Sequence, residues 1–252
     1  MKNAGRSLQT NLALLLVCMA PSVVHAYELE PIVVQLAPSG NGSVQSMTIT
    51  NTHEVPIAIE VAVYRREQKV DGSEEREEEL DDILLTPPQM VIAPGSSQTF
   101  KVRYVGPQDV QRERTYRVVT EQLPIRLKKE ERGDLSAQVS MRYRYEAALY
   151  VVPPQRKPAF RLLDANPVET DGERFLELDI ASEGNMRAIL QSPRLTVSGG
   201  GSTATLSGEE LGPLEGLNIL AGNHRQIRVS WPESIPFGEV EASLDARLLI
   251  LQ

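Results

Sequence analysis

Residues 135–152 read Leu-Ser-Ala-Gln-Val-Ser-Met-Arg-Tyr-Arg-Tyr-Glu-Ala-Ala-Leu-Tyr-Val-Val. Val139, Met141, Tyr143, Tyr145, Ala147, Leu149 and Val151 share one face, and Ser140, Arg142, Arg144 and Glu146 share the other. That is the two-residue period of a strand, not the period of a helix. The run is about twice the ordinary strand length. It stops at Pro153-Pro154, which cannot donate ladder hydrogen bonds. A strand this long outruns its own sheet. Its surplus apolar half is either capped by another element or offered to another chain.

Upstream, the chain supplies short strands to pair with this one. Residues 28–36 read as a first strand, followed by a turn at Pro38-Ser39-Gly40-Asn41-Gly42. Strands are expected at 43–50, at the β-branched run 57–64 and at 115–126, with shorter ones between 83 and 104 separated by Pro-Pro and Pro-Gly breaks. The acidic run at 71–82 is expected to be a solvated, mobile loop, because like charges repel and few apolar residues are present. Downstream, strands are expected at 160–163, 175–181, 188–197, 202–206, 225–229 and 242–251, and no helix is convincing anywhere. Short strands with turn signals at this spacing mean β-sandwiches. Val152-Pro153-Pro154-Gln155-Arg156-Lys157-Pro158 has the stiffness of an interdomain linker. The fold class is therefore all-β, with two sandwich domains at 27–152 and 159–252 joined by 153–158.

Lys2 and Arg6 precede an apolar run at 12–20, and Val24-His25-Ala26 offers small residues for cleavage. This is the pattern of a secretory signal peptide, 1–26, cut after Ala26. The only cysteine, Cys18, lies inside it. The remaining 226 residues then have no thiol for a disulfide or a nucleophile. The net charge of −8 becomes −10 once Lys2 and Arg6 are removed, which argues against nucleic acid and anionic membrane as partners. No later stretch is long and apolar enough to insert in a membrane.

Constellations for chemistry are missing. His53 and His224, both in turns, are the histidines left after the cut, and they do not make a zinc site or a convincing catalytic triad. Gly199-Gly200-Gly201 lacks phosphate-loop spacing and reads as a hairpin tip. Trp231-Pro232 reads as a core aromatic before a break. No catalytic residue, metal ligand or cofactor is expected.

Several stretches carry a family resemblance. They are Thr50-Asn51-Thr52, then Thr86-Pro87-Pro88 with Ile92-Ala93-Pro94-Gly95, then Tyr116-Arg117-Val118-Val119-Thr120-Glu121-Gln122-Leu123-Pro124-Ile125. Ser182-Glu183-Gly184-Asn185 and Leu220-Ala221-Gly222-Asn223-His224-Arg225 continue the series. In order and spacing the chain resembles the periplasmic pilus chaperones (PapD-like), and most of all their archaic, Csu-type branch.

The resemblance implies two immunoglobulin-like sandwiches in a boomerang arrangement and a non-enzymatic role in the periplasm. A pilus or fimbrial subunit that lacks its final strand receives the chaperone's long strand, by donor-strand complementation, and is delivered to an outer-membrane usher. Val139, Met141 and Tyr143 are then the donated side chains, while Tyr145 to Val151 fill the chaperone's own core. The resemblance also implies a basic anchor for the subunit's C-terminal carboxylate. One branch of the family uses an Arg in the first strand and a Lys in the long strand. Here residues 27–36 contain no basic residue and Ala148 stands where the Lys would be. The archaic branch places the anchor in a Tyr-Arg pair, which matches Arg117, with Arg142 and Arg144 as rivals. An ordinary salt bridge, for example to Glu121, is the competing role for Arg117. The alternative reading of the chain is a secreted two-domain adhesin or pilus component. Such a protein should open with a free alternating extension, whereas a strand is expected here almost at the cut.

Overall fold

Alternating apolar residues build four sheets along 27–124 and 142–251, the residues that the computed structural model describes. The first ten strands are β1 Glu28–Glu30, β2 Val33–Leu36, β3 Val44–Thr50, β4 Ile57–Gln68, β5 Glu74–Glu78, β6 Ile83–Thr86, β7 Gln89–Ile92, β8 Ser97–Tyr104, β9 Arg114–Leu123 and β10 Arg144–Val151. They form a four-stranded sheet in the order β1-β3-β8-β6 and a six-stranded sheet in the order β2-β10-β9-β4-β5, with β7 on β4. Met47, Ile49, Phe100 and Val102 of the first sheet bury against Ile57, Ile59, Val118, Ala147, Leu149 and Val151 of the second. Each of these strands shows one inward residue in two, as a sandwich requires.

The second lobe holds β11 Phe160–Thr170, β12 Glu173–Ser182, β13 Ala188–Gly199, β14 Ser202–Ser207, β15 Asn218–Ile219, β16 His224–Ser230 and β17 Glu241–Leu248. One sheet runs β11-β12-β16, and the other runs β14-β13-β15 with β17 on β13. Leu176, Leu178 and Ile180 of β12 meet Leu190, Leu195 and Val197 of β13 in its core. A 3₁₀ segment, Gly208–Leu214, closes one end with the buried Leu211 and Leu214. This turn of helix was not expected from sequence, because its apolar positions are too few to show a helical period.

Two expectations are corrected. The first strand is not continuous. Pro31 has no N–H to give a ladder, and the chain changes sheet there. Thus β1 pairs with β3 in one sheet while β2 runs parallel to β10 in the other. Nor is 71–82 a loop throughout. Glu74–Glu78 is β5, paired antiparallel with β4 from Gln68 to Tyr64. Glu79 and Asp82 beyond it are buried. Their charges are answered from other strands: Glu79 accepts from Arg65 at 2.7 Å, and Asp82 accepts from Arg114 at 2.6 Å and from the Tyr116 hydroxyl at 2.8 Å.

The lobes meet on the outer face of the six-stranded sheet. Ala148, Tyr150 and Val152 form a small buried cluster with Leu220. Gln68 donates to the Asn218 carbonyl at 3.0 Å and accepts from the Leu220 N–H at 3.1 Å. The Val70 carbonyl accepts from the Gln226 N–H at 2.9 Å and from Arg225 at 3.2 Å. Arg187, 1% exposed, is ion-paired with the buried Glu113 and lies 3.7 Å over the Tyr150 ring.

Candidate functional site

Cross-strand register fixes what shares the outer face of the six-stranded sheet. Tyr64 pairs with both Arg117 and Glu78, Arg66 with Arg76, Gln68 with Glu74, and Arg117 with Ala148. Paired residues point the same way. Arg66, Arg76, Glu74, Arg117, Glu146 and Tyr150 therefore lie on one face, the face that also receives the second lobe.

The centre of this face is the Glu74 carboxylate. One oxygen accepts from Arg66 Nη1 at 2.7 Å and Arg117 Nη2 at 2.6 Å. The other accepts from Arg117 Nε at 3.0 Å and Arg76 Nη2 at 3.1 Å. Arg117 thus grips the carboxylate with two parallel N–H donors, the strongest geometry available to that pair. Burial acts to push the Glu74 carboxyl up, but Arg117 and Arg66 outweigh it and hold the carboxyl down at about 2. Arg66 is buried, its Nη2 donates to the Tyr150 hydroxyl at 2.8 Å, and its Nε has no partner among the described residues. Arg76 also donates to Glu146 at 2.7 Å, and that contact holds the Glu146 carboxyl below its usual range.

Beside this cluster runs the edge of β10. Its Ala148–Val151 half is covered by β2, beginning with the Ala148 N–H donating to the Ile32 carbonyl at 2.9 Å. Its Arg144–Ala147 half pairs with β9 and, among the described residues, with no strand on the other side. Successive residues of a strand aim their N–H and C=O to opposite sides. Because Ala148 addresses β2, Glu146 and Arg144 address that same, uncovered side.

The residues singled out from sequence fall as follows. Val139 and Met141 lie outside the described residues. Tyr143 is half-buried against the first core, its ring lies tilted against that of His53 with centroids 5.5 Å apart, and its carbonyl accepts from the Gln122 N–H at 3.0 Å. Arg117 is engaged with Glu74 rather than with Glu121. Glu121 lies 4.0 Å from Arg144, which also reaches Glu146 at 3.3 Å. Arg142 is exposed. Arg117 is drawn together with two arginines that sequence reasoning did not single out, Arg66 and Arg76. Their signal was faint: each is one polar residue in an alternating strand, and the shared partner sits inside an acidic run. Among the described residues, no group of His, Cys, Asp and Glu is placed to hold a metal.

A family model, "Pili and flagellar-assembly chaperone, PapD N-terminal domain", matches residues 31–157, half of the chain. The chain belongs to the PapD-like family of pilus chaperones. That family is periplasmic, and among the described residues no helix is long and apolar enough to cross a membrane. A comparison with curated protein sequences finds no match. Solved structures of PapD-like chaperones share the two-domain fold. The CsuC–CsuE chaperone–tip subunit pre-assembly complex of archaic Csu pili from Acinetobacter baumannii matches with a TM-score of 0.56 at 15% identity, covering 86% of this chain and 97% of that one. The class 5 fimbriae chaperone CfaA matches at 0.54 and 13% identity, covering 88% of this chain and all of that one (100%). A chaperone–tip adhesin complex of CFA/I fimbriae biogenesis matches at 0.53 and 14%, covering 87% and 98%.

Proposed function

We propose that this chaperone binds pilus subunits by donor-strand complementation and delivers them to an outer-membrane usher. The observation that supports this most directly is the half-covered edge of β10. Arg144 and Glu146 present main-chain groups on a side that β2 leaves open, and the chain before them, 139–143, carries Val139, Met141 and Tyr143 in alternation. A subunit lacking its last strand would pair along this edge and take the alternate side chains into its groove. Each apolar side chain so buried contributes roughly 1.5–3 kcal/mol. The added strand must stop where β2 begins, at Ala148, and Ala148 is paired with Arg117. The end of such a strand therefore comes within two strand spacings of Arg117, about 10 Å. Arg117 anchors its C-terminal carboxylate. Residues 1–26 direct the chain to the periplasm and are removed after Ala26. Residues 153–158 link a capturing domain, 27–152, to a second domain, 159–252.

Co-expression with a pilus subunit that lacks its final strand tests the proposal. Met141→Asp should abolish recovery of soluble subunit while the free chaperone keeps its strand content, and Arg117→Ala should weaken recovery. Unchanged subunit yield from the Met141→Asp protein would refute the donor assignment.

A further inference from the structure

Arg117 is not waiting empty. Three guanidinium groups, on β4, β5 and β9, converge on one carboxylate, and that carboxylate belongs to the chain itself. One arginine balances the charge of one carboxylate, and here Arg66, Arg76 and Arg117 face Glu74 and Glu146 with three cations to two anions. Arg66 is in addition buried, with an Nε that has no partner among the described residues. Glu74 sits at the start of an edge strand, on a hairpin arm whose Glu75, Glu77 and Glu78 are exposed, so little packing holds it in place. We propose that Arg66, Arg76 and Arg117 form a three-arginine carboxylate site, that Glu74 fills it as an internal stand-in, and that a client's terminal carboxylate must displace Glu74 to be captured. The inference rests on the proposed capture of subunits along β10.

The arrangement gives the chaperone two properties at once. In the free protein, Glu74 neutralises a cation cluster built on the buried Arg66, which would be costly to leave without a counter-charge. In the loaded protein, a ligand gains from the arginines only what exceeds the loss of Glu74, so an isolated small acid competes poorly. A chain that also adds a strand to β10 delivers its carboxylate at high effective concentration and wins. Because Glu74 remains ionised far into acid, its release is driven by this competition and not by protonation.

Arginine side-chain Nε–Hε resonances of the full chain, followed by NMR, report on the site. The probes are sodium acetate and a ten-residue alternating Val/Thr peptide with two N-terminal lysines, made with either a free or an amidated C-terminus. In the Glu74→Gln protein, acetate should shift the Arg117 signal saturably, whereas in the wild type it should not. The free-acid peptide should bind Glu74→Gln about tenfold tighter than wild type, with the amide unaffected. Glu74→Asp, which keeps the charge one methylene short, should fall between and serves if the Gln variant does not fold. Acetate shifting neither protein, or equal gains for acid and amide peptides, would overturn the stand-in. Acetate binding to Glu74→Gln without any peptide binding would keep the site and remove the client reading.

Discussion

Glu74 and Glu146 set how the outer face of the six-stranded sheet responds to acid. A carboxyl held below its ordinary value stabilises the fold above that value, and the contribution is lost as pH falls through the folded value. For Glu74 the window runs from 4.5 down to about 2. Glu146, lowered by Arg76, acts in the same direction. The urea midpoint of the wild type should therefore exceed that of Glu74→Gln at pH 6, and the gap should narrow clearly as pH is brought to 3. A gap of equal size at both pH values would mean that the Glu74 ion pairs add nothing to the fold. At this scale sequence was a weak guide. Arg117 stood out through its Tyr-Arg setting, but its partner Glu74 lies 43 residues earlier, and no local pattern links them. An acidic run reads as mutual repulsion until the arginines facing it are known.

At the scale of elements, the division of β10 into a covered and an uncovered half makes a prediction about amide exchange. Arg144 and Glu146 direct their N–H groups away from β9, so in the free chaperone these amides should exchange orders of magnitude faster than that of Leu149. On addition of a subunit they should become protected, and residue-resolved hydrogen exchange reads the change directly. Slow exchange of both amides in the free protein would mean that this edge is already occupied. The half of β10 that fills the core was legible from alternation, since Ala147, Leu149 and Val151 are all fully buried as their period requires. Its other face was not, because Ala148, Tyr150 and Val152 bury against Leu220, a contact made by tertiary arrangement alone. The break at Pro31 is physically plain in hindsight, yet an isolated apolar run around it looks like a single strand. β15, two residues long, carries no pattern to read.

The whole molecule is joined by polar contacts more than by apolar ones, and the deepest of them is Arg187 with Glu113. Both side chains are buried, and Arg187 adds a cation–π contact to Tyr150. Removing one member of a buried pair strands the other charge, which costs about 3–5 kcal/mol, while replacing both with apolar residues of similar volume is often close to neutral. Arg187→Ala should thus lower the urea midpoint sharply, and Arg187→Met combined with Glu113→Leu should restore most of it. If Arg187→Ala alone cost less than about 1 kcal/mol, as an exposed pair would, the join between the lobes would not depend on this contact.

The turn between β4 and β5 ties these scales together. Arg225 and Gln226 of the second lobe hold it at Val70, Arg225 reaches Asp71, and Glu74 stands a few residues further along the same ribbon. Whatever unseats Glu74 also pulls on the strap that fastens the two halves. Under the proposed displacement, a change at the carboxylate site reaches the seam between the halves through Gly72 and Ser73 alone.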